Sequence, residues 1–122
     1  MARPQDYERA VTFIEAQKAD RDRYATEPSE SILTTKARRL QILRRQARDA
    51  AIGTGSLKPV QTYREALDEY MCYLHLGEHF AQCDRAKQML AIIDAAVDRE
   101  ALAVILTEQE SAINSIHRGA LR

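Results

Sequence analysis

The sequence predicts an all-α fold, an antiparallel bundle or stacked helical hairpins of four to five helices, and three observations point to it. Ala, Leu, Arg, Gln and Glu are plentiful, whereas the 122 residues include only four glycines and three prolines. Apolar residues recur at intervals of three and four, not two, over most of the chain. Glycine and proline fall at the ends of these periodic stretches, where helices start and stop.

Taken in order, "PQDYERAVTFIEAQKADRDRYA" from Pro4 places Tyr7, Ala10, Val11 and Ile14 on one helical face, with proline tolerated in the first turn. "TEPSES" interrupts this helix at Pro28, and Ser29 or Ser31 can cap the next one. The second helix, over 31–52, carries Leu33, Ala37, Leu40, Leu43, Ala47 and Ala51, and Gly53 offers a left-handed residue to end it. Its narrow, alanine-rich stripe lets a neighbouring helix approach closely. "GTGSLKPV" at 53–60 reads as a linker. "TYRE" then reads as a capping box, Thr62 and Glu65 exchanging bonds with each other's backbone N–H. The third helix buries Ala66, Leu67, Tyr70, Met71 and Leu74. Residues 78–97 follow with Phe80, Cys83, Ala86, Leu90, Ile93 and Val97. Residues 99–118 end the series with Leu102, Ile105, Leu106, Ala112, Ile113 and Ile116, Asp98 as cap and Gly119 as stop.

Size and composition place the whole chain, 1–122, in a single domain: 45% hydrophobic and 30% charged residues are the balance of a globular protein. "MARPQDYERA" lacks the apolar core of a signal peptide, and the longest apolar run, "ALAVIL" at 101–106, is far short of a membrane span. The expectation is a cytoplasmic protein with two free thiols, no membrane contact and no cofactor. Net charge is zero but uneven. Residues 1–59 hold 12 Lys/Arg against 8 Asp/Glu (+4), and residues 60–122 hold 6 against 10 (−4).

"CYLHLGEHFAQC" gathers both cysteines and two of three histidines. On one straight helix Cys72, His75, His79 and Cys83 form a stripe about 80° wide, the pattern of a ligand row. A single zinc ion cannot use it, because Cys72 and Cys83 lie about 16 Å apart along the axis. The apolar stripes of 66–74 and 80–97 differ in direction by about 160°, so a break at Gly77 is expected. The four residues then become thiols and imidazoles around a turn, and a metal clamp survives only if that turn or a second subunit folds the pairs together. "HLGEH" also has the H-x-x-E-H spacing of inverted zinc peptidases, but Gly77 falls inside the helix that motif requires.

"YLHLGEHFAQCDRAKQML" resembles the turn of the tetratricopeptide family, in which Leu-Gly closes one helix and an alanine-containing helix packs back. The resemblance covers under twenty residues and has no second copy, so it implies a helix-turn-helix at Gly77 and nothing of function.

"GTGSLK" at 53–58 lacks the order of a phosphate loop, and no nucleophile elbow or paired carboxylate stands out, so no enzyme and no catalytic residue are predicted. His117 with Arg118 suits the negative end of the last helix. "KARRLQILRRQAR" presents Lys36, Arg38, Arg39, Arg44, Arg45 and Arg48, a nucleic-acid-binding face if it tracks phosphates and a solvated outer face otherwise. Ile42, Tyr73, Ile92 and Val104 lie off their helices' stripes. Rimmed by Arg38 and Arg45, they are the expected contacts of a small helical protein-binding module, an adaptor, chaperone or inhibitor, whose partner is another protein or a further copy of the chain.

Overall fold

In α1 (Ser29–Ile52) the residues that recur every three or four positions bury together: Leu33, Ala37, Leu40, Ala47 and Ala51, with Leu43 packed at their edge. The structure, a computed structural model, describes residues 29–121, so the helix expected from Pro4 lies outside the described residues. Three more helices follow, α2 (Lys58–Leu76), α3 (Phe80–Asp94) and α4 (Arg99–Ala120), and no strand occurs among the described residues. α1 packs against α2 and α4, and α3 against the same two. Along α1, Thr34, Arg44 and Ala50 bond to His117, Leu106 and Arg99 in turn, so α1 and α4 run in opposite directions. Arg64–Asp94 and Met71–Cys83 set the same relation for α2 and α3.

Helix ends differ from the sequence expectations in instructive ways. Gly53 is not left-handed. Its N–H makes an ordinary helical bond to Asp49, and α1 ends because the Arg99 guanidinium reaches back from α4 to the carbonyls of Ala50, Gly53 and Gly55. Thr62 is not a cap either. α2 already begins at Lys58, with Pro59 in the first turn where its missing N–H costs nothing. Thr62 instead donates to the Lys58 carbonyl and Glu65 accepts from Gln61. Lys58, Pro59 and Val60 therefore belong to helix, and the linker is shorter than 53–60.

The chain does reverse near residue 77, but the left-handed residue is Glu78, with φ of 62°, while Gly77 keeps φ of −82°. The His79 N–H bonds to the Leu74 carbonyl and the Glu78 N–H to His75, the paired bonds of a Schellman turn. Gly77 matters for space: a Cβ there would lie 2.8 Å from the His79 ring. Because only glycine adopts this region without cost, Glu78→Gly is expected to raise stability by about 0.5–1 kcal/mol, measured by urea denaturation.

At α4 the Asp98 cap holds, its carboxylate accepting from the Ala101 N–H at 2.8 Å. Gly119 is no stop. It lies within α4 where Gln82 of α3 approaches, 2.6 Å from where a Cβ would stand. α3 is shorter than the 78–97 expected. Phe80 therefore sits exposed at its first turn and Val97, 88% exposed, falls in the following loop, neither in the core. Buried instead are Ala86, Met89, Leu90 and Ile93 of α3, with Tyr63, Leu67, Tyr70 and Leu74 of α2 and Leu102, Leu106, Ile113 and Ile116 of α4. Ala66, Met71, Cys83, Ile105 and Ala112 pack at its edge. No helix is long and apolar enough to cross a membrane among the described residues.

Candidate functional site

The residues expected to bind a partner fall into three places. Arg38, Ile42 and Arg45 follow one another at spacings of four and three, so they share one exposed stripe of α1, where Ile42 is 52% exposed. Tyr73 stands apart from them, half-buried at the edge of the core with Lys36 Nζ 5.1 Å from its ring centre.

Ile92 and Val104 share a second surface. Arg85 of α3 donates to Ser115 of α4 at 3.0 Å, which marks the seam between those helices. Ile92 lies two turns beyond Arg85 and Val104 three turns before Ser115, so each falls on the same strip of its helix as that residue. α3 and α4 run in opposite directions, as the pairs Arg85–Ser115 and Met89–Gln109 show, which brings Ile92 within about one turn, roughly 5 Å, of Val104 along the seam. They are 50% and 54% exposed. α1 packs mainly against α2 and α4, so Ile42 lies away from Ile92 of α3.

The basic face is divided as well. Arg38, Arg39 and Arg45 are exposed and make no ion pair among the described residues. Lys36 is paired with Glu69 at 2.8 Å, and Arg48 with its neighbour Asp49 at 3.2 Å. Arg44 is not on that face: it is 1% exposed, donating to Gln41 Oε1 at 2.8 Å and to the Leu106 carbonyl at 3.2 Å. Burial draws its pKa down while Glu110, 3.7 Å away, opposes the shift.

The apparent ligand row dissolves at the turn. Cys72 is on α2 and Cys83 on α3, both half-buried, and the Cys83 thiol points at the Met71 carbonyl, 3.6 Å away. Burial first, then Asp68, Cys83 and Glu69, pushes Cys72 up to about 11, and burial with Asp84 raises Cys83. Both thiols are held protonated at neutral pH, the opposite of what a nucleophile requires. His75 meets the Phe80 ring edge-on at 5.3 Å. Among the described residues no three His, Cys, Asp or Glu converge as a metal site needs.

Three polar features were not anticipated. Tyr63 Oη donates to Gln109 Oε1 at 2.7 Å, and Gln109 Nε2 to the Met89 carbonyl at 3.1 Å, joining α2, α4 and α3 inside the core. With Arg44 joining α1 to α4, polar bonds cross all four helices. Arg99 closes one end. At the other, His117 touches Thr34 and Tyr70, so it is more than a cation at a helix terminus: burial, then Arg38, lowers its pKa and favours the neutral ring. Comparison with protein-family models, curated proteins and solved structures finds no match.

Proposed function

We propose that this chain is a helical protein-binding module, acting as an adaptor, chaperone or inhibitor in the cytoplasm, that it self-associates, and that it is not an enzyme. The observation that carries this reading is the pair Ile92 and Val104, each about half exposed, on the strips of α3 and α4 that carry the Arg85–Ser115 bond. Apolar side chains grouped on a folded helical surface are what a partner helix or loop covers. Contact of α1 with α4 as well as with α2 supports a closed antiparallel bundle over stacked hairpins, a rigid support for such a surface.

The test is capture from native lysate by the full chain, quantified by mass spectrometry beside light scattering of the purified protein. The double variant Ile92→Asp/Val104→Asp is expected to keep its fold, since both sites are exposed, and to lose about tenfold or more of a specific partner. Capture unchanged by this variant retires the seam.

A second reading is favoured by Arg38, Arg39 and Arg45, which make no ion pair among the described residues: a nucleic-acid-binding regulator using the outer face of α1. An electrophoretic shift that weakens steeply with salt and disappears in Arg38→Glu/Arg45→Glu supports it, and no shift at low salt removes it.

A further inference from the structure

At the end of the molecule where α1 starts, α2 turns into α3 and α4 stops, one imidazole ties α4 to both α1 and α2, beside the Lys36–Glu69 pair that also joins α1 to α2. His117, in the last turn of α4, places Nε2 3.2 Å from Thr34 Oγ1 on α1 and Nδ1 3.4 Å from Tyr70 Oη on α2. Tyr70 is buried, and burial pushes its phenol up to about 12, so the hydroxyl keeps its proton. Among the described residues Nδ1 is the hydrogen-bond partner of that hydroxyl. A buried hydroxyl donates to the acceptor that faces it, so Nδ1 accepts, and Nε2 carries the ring proton and donates to Thr34.

We infer that His117 is a pH-sensitive latch that holds the first turns of α1 and the Tyr70 side chain to the end of α4 and releases them in mild acid. Protonation adds a hydrogen at Nδ1, pointing at the hydroxyl hydrogen of Tyr70. The hydroxyl must then turn to accept, which leaves its own proton unpaired in a buried setting. Arg38 is the charged group that faces the ring from α1, Tyr70 is the titratable group on α2, and Arg118 is the adjacent cation on α4 itself. Arg38 opposes a further positive charge on the ring.

The direction follows from linkage. With its folded pKa below 6.5, His117 takes up a proton more readily in the unfolded chain, so the latch is fully effective above pH 6.5 and weakens as pH falls below it. Release uncovers Leu33, buried on the freed turns of α1, at the end where Phe80 and Leu121 are already exposed. Acid thus enlarges an apolar surface.

Imidazole nitrogen resonances of the full chain, titrated by NMR, test this directly. The Nε2–H tautomer at pH 7.5 and a pKa below 6.5 are expected for His117. Amide exchange over residues 31–37, corrected for intrinsic rates, is expected to quicken by about threefold or more between pH 7 and pH 5, with greater uptake of an apolar dye. Tyr70→Phe should raise the His117 pKa, and His117→Gln should flatten the acid response. An Nδ1–H tautomer, a pKa at or above 6.5, or an acid response unchanged in His117→Gln would overturn the latch.

Discussion

Arg44→Ala is expected to cost about 2–4 kcal/mol of folding stability, and Arg44→Met less than about 1 kcal/mol. The alanine variant removes a long stem that fills the space between α1 and α4, together with its bonds to Gln41 and the Leu106 carbonyl. Methionine refills most of that volume without a charge. It leaves few groups stranded: Leu106 lies within α4, Gln41 Oε1 loses its donor but belongs to a half-buried side chain that water can reach, and Glu110 is 62% exposed and can turn to water. Urea denaturation of both variants separates the contributions. If methionine costs as much as alanine, the charge-assisted bonds dominate and the packing account fails.

Arg44 also shows where the sequence misleads. Its spacing from Leu40 and Ala47 puts it squarely on the apolar stripe of α1, yet its charge suggested the outer face. Position was the better guide than residue type. Gln109 repeats the lesson, standing three residues after Leu106 and four before Ile113 on the buried side of α4. Periodicity located the four helices of the described residues and the reversal near residue 77, because the two apolar stripes around it cannot share one rod. It could not tell that Glu78, not Gly77, takes the left-handed turn, since glycine is the residue that region ordinarily favours. "TYRE" matched a capping box but lost to Pro59, which opens α2 a turn earlier.

The candidate surfaces were legible only residue by residue. Ile42, Ile92 and Val104 are exposed as their off-stripe positions implied. Which of them meet depends on which helices are neighbours, and helical spacing is silent on that. The bond from Arg85 to Ser115 places Ile92 and Val104 on strips of α3 and α4 that meet, which the sequence alone does not say.

The pair Tyr63–Gln109 is expected to behave as a unit that is costly to halve and cheap to remove. Tyr63→Phe leaves the Gln109 carbonyl oxygen short of its donor, and Gln109→Leu leaves the Tyr63 hydroxyl without its acceptor, each at about 1–3 kcal/mol. Both residues are buried, and burial pushes the phenol well above its ordinary pKa with Arg44 only partly opposing, so ionisation offers the stranded hydroxyl no escape. In Tyr63→Phe/Gln109→Leu neither orphan remains. The Met89 carbonyl loses a bond from the glutamine, but it lies inside α3, where the backbone supplies its partner. The double variant is therefore expected to be more stable than the sum of the single costs by about 1–2 kcal/mol, read from a double-mutant cycle in urea. Strictly additive losses would mean that the two side chains stabilise the core through packing alone, and that the polar bonds crossing α2, α3 and α4 do not fix how these helices meet.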